Sequence, residues 1–128
     1  MKSDSFLIET NGFEKVVDEA FWMIAVRDAL VEDSYLIVQL AYEFDDQDIK
    51  LGMNSYYVEV GEQSNSKYGG IGGVELIDNY VMVRLDEELS ELVSFPRVRI
   101  SFLEASAAQD FFHLLSKMIR LESPAVDL

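Results

Sequence analysis

The sequence predicts an α+β domain: a mainly antiparallel β-sheet of about six or seven strands with a long C-terminal helix packed on one face. Two observations lead to this fold class. Short segments with apolar alternation, separated by turn signals, recur through residues 6–103, whereas helical spacing is sustained only in residues 106–119. At 128 residues and 49% hydrophobic content, the chain is expected to form one domain over residues 1–128.

The first strand candidates lie in the N-terminal third. Residues 6–10 and 13–17 flank Asn11-Gly12, a turn signal that indicates either a hairpin or a bulge within one long strand. Residues 21–26 form an apolar run too short for a helix and are predicted to be a buried strand. Residues 27–34 carry three acids and are predicted to be a loop, with or without a helical turn.

The middle of the chain predicts two further strands. Residues 35–42 are apolar on both faces, which is typical of a central strand. In residues 56–60, Tyr56 and Val58 share one face, whereas Tyr57 lies on the other. The Ser- and Asn-rich residues that follow are predicted to form a polar loop.

A hairpin is predicted after the glycine cluster. Residues 74–77 and 80–85 flank Asp78-Asn79, a pair suited to the positive φ angles of a type I′ turn. On the outer face, Glu75 can then meet Arg84 diagonally. The pairs that this register predicts are Ile77 with Tyr80, Leu76 with Val81, and Val74 with Val83.

Two helices and a strand are predicted at the C-terminal end. Residues 86–93 are predicted to be a short helix, and residues 97–103 alternate as a strand with an apolar inner face. Ser106 begins a candidate capping box, and Pro124 is expected to stop the last helix. Its predicted core positions are Ala108, Phe111, Phe112, Leu115, Met118 and Ile119.

Charge is the second global feature. The formal net charge of −14 repels nucleic acid and anionic lipid and favours encounter with a basic partner. Arg84, Arg97 and Arg99 could form a small basic stripe if their strands are neighbours, or could balance nearby carboxylates. No apolar stretch predicts a secretory signal or a membrane helix, and there is no cysteine. We therefore expect a cytoplasmic protein that binds neither nucleic acid nor membrane.

The motifs that resemble catalytic or cofactor sites fail on spacing. The glycine cluster of residues 69–73 precedes a strand and lacks the third glycine of a dinucleotide fingerprint, so it is interpreted as a bulge or a close backbone approach. The acids of residues 43–48 do not fit a calcium loop in either frame. The single histidine, His113, is interpreted as a helix-flank residue. We expect no catalytic residue, cofactor or metal.

The block of residues 35–85 resembles the immunity protein 10 family. The resemblance rests on YLIVQ, acids ending in DQD, LGMNSYYVEV and YGGIGGVEL, followed by a strand and an amphipathic end, and it extends over roughly residues 35–119. These proteins are predicted antidotes encoded beside bacterial polymorphic toxins. The resemblance implies a mainly β, non-catalytic cytoplasmic protein that binds a cognate toxin stoichiometrically. The charge predicts that this toxin is basic, as many nucleases are.

The candidate partner-binding residues fall into two groups. One is a charged recognition loop, and the other is a set of aromatic anchors, because aromatic residues and desolvated charges dominate tight interfaces. The loop residues are Glu43, Asp45, Asp46 and Asp48, and the aromatic residues are Tyr56, Tyr57 and Tyr68.

Two alternatives remain open from sequence. One is a small-molecule binder or hydrolase with a pocket between sheet and helix. The other is a self-associating domain, in which exposed Trp22, Phe21 or Tyr57 would support a homodimer.

Overall fold

The structure, a computed structural model, describes residues 4–122. Within this range the chain forms nine strands and three helices. The strands are β1 (Ser5–Thr10), β2 (Glu14–Val17), β3 (Phe21–Arg27), β4 (Tyr35–Ala41), β5 (Tyr57–Val60), β6 (Glu62–Tyr68), β7 (Ile71–Ile77), β8 (Tyr80–Leu85) and β9 (Arg97–Phe102). The helices are α1 (Asp46–Lys50), α2 (Glu87–Val93) and α3 (Ala105–Ile119).

The strands form two sheets, so the α+β class is confirmed but the prediction of one sheet is wrong. A four-stranded sheet has the order β1-β9-β8-β7, and a five-stranded sheet has the order β2-β3-β4-β5-β6. The β1–β9 pair is parallel, whereas the other pairs are antiparallel. Strand β4 is the third of five, as its apolar composition predicted.

The segment around Asn11-Gly12 joins the two sheets and is neither a hairpin nor a bulge. β1 pairs with β9 in one sheet, and β2 pairs with β3 in the other. The Thr10 hydroxyl donates to the Gly12 carbonyl at 2.9 Å and fixes the corner between them. A turn signal specifies local chain reversal, but it does not specify which strand each arm will pair with.

The polar segment after β5 is a strand and not a loop. Gly61 takes a φ of 75° at the turn, and β6 then pairs antiparallel with β5 through a register shift. β6 is an edge strand and is largely exposed, which explains its polar composition. Lys67 ties β6 to α2, with its ammonium nitrogen 3.1 Å from Glu88 and 3.4 Å from Asp86.

The β7–β8 hairpin has the predicted register, including the Glu75–Arg84 diagonal pair at 3.7 Å. The turn differs from a type I′ turn, because Asp78 has a φ of 54° but Asn79 does not take a positive φ. The glycine cluster contains the predicted bulge, since the register shifts between Ile71 and Gly73.

The core lies between the sheets and is completed by α3. This helix contacts β7, β8 and β9 of one sheet and β3 and β4 of the other. It begins at Ala105 after Glu104, whose side chain makes no cap bond, so the Ser106 capping box is not formed. Pro124 lies outside the described residues. The buried residues of α3 are Ala108, Phe111, Leu114, Leu115 and Met118, whereas Phe112 and Ile119 are half-buried.

Candidate partner-binding surface

The five-stranded sheet presents one face to the core and one face outward, which we call the open face. Alternate residues of β3, β4 and β5 are buried, while those between them are half-buried, except Arg27, which is exposed. The register places Met23, Gln39, Tyr57 and Tyr68 in one row across the open face. The neighbouring row is Ala25, Ile37, Glu59 and Ser66.

A carboxylate held by two tyrosines lies on the open face. The Tyr35 hydroxyl donates to Glu59 Oε2 at 2.5 Å, and the Tyr57 hydroxyl donates to Glu59 Oε1 at 2.7 Å. We call Tyr35, Tyr57 and Glu59 the tyrosine–glutamate cluster. Burial, reinforced by the hydrogen bond to Glu59, raises the pKa of Tyr35 to about 12. The Arg27 guanidinium lies 5.4 Å from the Tyr35 ring centre.

Tyr57 also connects the cluster to Tyr68 and to a cleft. The Tyr57 and Tyr68 rings pack edge to face, with 5.7 Å between their centres. Both line a cleft of about 280 Å³ into which Asp48 also faces. Three of the residues predicted from sequence are thus brought together. The other residues lining this cleft are Gln39, Ala41, Phe44, Met53 and Ser55.

The acidic segment of residues 43–48 is partly helical, whereas a loop was predicted. Asp45 caps α1: its carboxylate accepts from the Asp48 amide at 2.7 Å, and the Asp48 carboxylate accepts from the Asp45 amide at 3.0 Å. Glu43 and Asp46 are exposed and make no such bond. Ile49, 55% exposed, follows directly, so the segment presents both charge and apolar surface.

Tyr56 lies on the opposite side of β5 and is only 5% exposed. Its hydroxyl accepts from the Ile71 amide at 3.0 Å and donates to the Ile71 carbonyl at 3.4 Å. Burial raises the pKa of this phenol. Tyr56 therefore joins the five-stranded sheet to β7 and offers no exposed ring to a partner.

Two residues of the surface, Tyr35 and Glu59, were not among the sequence candidates. Their contact depends on the β4–β5 register, which pairs Ile37 with Glu59 and so places Tyr35 on the diagonal. The available signal was the alternation of β5, which puts Glu59 on the same face as Tyr57.

Other surfaces carry different chemistry. A cleft of about 680 Å³ beside the tyrosine–glutamate cluster is lined by Arg27, Phe13 and Glu14, among others. His113 is exposed on the flank of α3, as predicted. Within residues 4–122 no group of three or more His, Asp or Glu side chains is placed to hold a metal, and none of the helices in that range is long and apolar enough to cross a bilayer.

The outer face of the four-stranded sheet carries the basic stripe that the sequence raised as one option. Arg84 and Arg97 are directly opposite each other on β8 and β9. Arg99 lies on the same face, with its guanidinium 4.0 Å from the Tyr80 ring centre. Arg84 also pairs with Glu75, so charge balance is found for this arginine, whereas none of the ion pairs within residues 4–122 includes Arg97 or Arg99.

The fold and its surfaces define a small acidic α+β protein with a tyrosine-rich open sheet face. Residues 8–110 match the family described as Immunity protein 10. The chain belongs to this family, and the resemblance inferred from sequence is confirmed. Membership implies an antidote role against a toxin and a protein that is generally non-catalytic. No curated protein and no solved structure matches the chain.

Proposed function

We propose that this chain is an immunity protein that neutralises a cognate toxin by stoichiometric binding in the cytoplasm, without catalysis. The proposed toxin domain is basic, such as a nuclease. Family membership supports the antidote role, and the net charge of −14 supports a basic partner, because opposite charge speeds encounter and disfavours acidic competitors.

The observation that carries the choice of surface is the convergence of Asp48, Tyr57 and Tyr68 on one cleft. Beside it, the exposed carboxylates Glu43 and Asp46 can steer a basic domain toward the tyrosines. Tyrosine rings bury a large area at low conformational cost and are enriched at interface hot spots. Carboxylates held against a basic nuclease surface would compete with substrate phosphates there.

The first experiment is co-expression with the toxin domain encoded beside this chain. We expect rescue of growth, and co-elution as a one-to-one complex by size-exclusion chromatography with light scattering. Failure of rescue, together with no complex at low salt, would overturn the proposed function.

A second experiment locates the steering charges. The variant E43K/D46K reverses two exposed carboxylates that do not cap α1, and E32K/D33K reverses two exposed carboxylates in the β3–β4 loop, at the other end of the sheet. Both variants change net charge equally. We expect E43K/D46K to lower the association rate constant on the order of tenfold, and E32K/D33K to lower it less. Equal effects of the two variants on the association rate constant would show that the acidic segment has no specific role in steering the toxin.

Self-association is a competing use of the open face. Phe21 and Tyr57 are half-buried there and could support a homodimer, but Trp22 is fully buried, so its predicted exposure is wrong. Light scattering of the free chain tests this alternative, since a homodimer would double the measured mass.

A small-molecule site between sheet and helix has little support in the packing. Phe111, Leu115 and Met118 fill that interface and are fully buried. The groove beside β7 and α3 has a volume of about 200 Å³, below the range of roughly 300–1,000 Å³ that is usual for ligand pockets. A second cleft, between β2 and α3, has a volume of about 390 Å³ and is lined by Lys15, Asp110 and His113, so it is the place where this alternative would be tested.

A further inference from the structure

We propose that Glu59 is the anchor for an arginine side chain of the partner, which docks on the open face of the five-stranded sheet. This inference rests on the proposed function and extends it, because it names a contact outside the acidic segment. The structure places Glu59 on β5, an inner strand of an antiparallel sheet, between Ile37 on β4 and Ser66 on β6.

The first argument is the unneutralised charge of Glu59. Its two hydrogen-bond donors are the neutral phenols of Tyr35 and Tyr57. None of the ion pairs within residues 4–122 includes Glu59. Glu59 is half-buried and belongs to none of these ion pairs. A cationic side chain of the partner can therefore form charge-assisted hydrogen bonds with this carboxylate, and these bonds stabilise the complex.

The second argument is geometric. Each carboxylate oxygen has about two acceptor positions, and one hydroxyl bonds to each oxygen of Glu59. One acceptor position on each oxygen is therefore left for an N–H group of a guanidinium. Because the phenols hold the carboxylate in place, less rotamer entropy is lost when the partner binds.

The third argument concerns the surroundings of the carboxylate. The hydroxyl groups of two aromatic residues, Tyr35 and Tyr57, bond to it, and the apolar Ile37 lies directly opposite on β4. A planar guanidinium can stack on aromatic faces, whereas a compact and strongly hydrated ammonium gains less from such a site. The site therefore favours arginine over lysine.

The nearby charges fit this assignment. Arg27 is on β3, opposite Tyr35 on β4, so one strand separates it from Glu59 on β5, and Glu14 is at the β2 end of the same row as Glu59. An incoming cation meets one carboxylate in the cluster and a second along the row. An acidic group of a partner would be repelled by both.

The test compares E59Q with E75Q in binding to the toxin domain encoded beside this chain. Glu75 is an exposed carboxylate on β7, in the other sheet, so the two variants lose the same charge at different sites. We expect E59Q to raise the Kd by a factor on the order of 30, mainly through faster dissociation, and E75Q to change it by less than about threefold.

Thermal unfolding of both variants checks that each remains folded. If E59Q does not fold, E59D takes its place, because it keeps the charge but withdraws the carboxylate by one methylene. We expect E59D to raise the Kd by roughly tenfold. If the wild type forms a complex and E59Q raises the Kd no more than E75Q does, this inference alone is overturned. Absence of any wild-type complex would overturn the proposed function as well.

Discussion

Tyr35 on β4 donates a hydrogen bond diagonally across the sheet to Glu59 on β5, with 2.5 Å between the two oxygens. This contact has a measurable pH signature. Burial and the neighbouring carboxylate raise the pKa of Tyr35 from 10.0 to about 12. Between these pH values the unfolded chain has lost the proton and the folded chain retains it, so the free energy of unfolding falls as pH rises.

We therefore expect the Tyr35→Phe variant to lose stability less steeply than the wild type from pH 10 to about 12. Urea unfolding at stepped pH measures the slope. Phenolate absorbance of the folded protein should also lack one late-titrating tyrosine in the variant. Identical pH slopes in the two proteins would contradict the assigned pKa shift.

The glycine cluster gives a stability prediction with an internal control. Gly70 has a φ of 106°, and a Cβ there would lie 2.8 Å from a methyl carbon of Leu89. Gly72 is two residues away, where an added Cβ would meet its nearest atom, a backbone oxygen of Arg84, at 3.7 Å. We expect Gly70→Ala to cost about 2 kcal/mol, since it combines backbone strain with a clash.

Gly72→Ala should instead be neutral, or stabilising by up to about 1 kcal/mol, because it restricts the unfolded chain without a clash. Chemical denaturation of both variants measures the difference. An equal loss of stability in the two variants would mean that the positive φ of Gly70 and its close approach to Leu89 are not what requires glycine at this position.

These glycines also illustrate how much of the fold could be predicted from sequence. The bulge and the β7–β8 register follow from local signals: alternation, and a two-residue turn at Asp78-Asn79. The division into two sheets could not be predicted from local signals, because the parallel pairing of β1 with β9 joins residues about 90 positions apart. The periodicity of a strand does not specify which other strand it pairs with. β6 was missed because an exposed edge strand can be polar on both faces.

The candidate surface shows the same limit. Asp48 on α1, Tyr57 on β5 and Tyr68 on β6 meet at one cleft, but their closeness was not predicted, because α1 and β6 were both expected to be loops. Tyr56 and Tyr57 are adjacent on a strand, so only one of them could lie on the open face. The contact of Tyr35 with Glu59 needed the strand register, which only the structure provides.

The capping role of Asp45 predicts a local effect. Asp45→Ala removes the acceptor for the Asp48 amide and should destabilise α1 by about 1 kcal/mol. Because α1 buries no residue, its loss should not propagate to the core. We expect faster amide hydrogen exchange at Asp48 and Ile49, with little change in the midpoint of global unfolding.

Asp46→Asn is the matched control for Asp45→Ala. It removes one charge from the same turn, and Asp46 makes no cap bond, so exchange at Asp48 should stay near the wild-type rate. Asp45→Asn keeps a side-chain acceptor and should retain most of the protection. If all three variants exchange alike, charge and not capping sets the stability of α1.

Removing charge from the basic stripe on the four-stranded sheet is expected to change the rate of association with the toxin in the opposite direction to reversing charge in the acidic segment. Arg97 and Arg99 are exposed on the outer face of that sheet, away from the open face of the five-stranded sheet. In R97Q/R99Q the loss of two positive charges takes the formal net charge from −14 to −16. A basic toxin should then associate at an equal or higher rate, because local repulsion is removed.

Stopped-flow measurement of association at low and moderate ionic strength checks this sign. We expect the rate constants of wild type and R97Q/R99Q to converge as salt rises, since exposed charges are screened within about 10 Å at 0.1 M. Slower association of the variant would place the arginine stripe, and not the tyrosine-rich open face, in contact with the toxin.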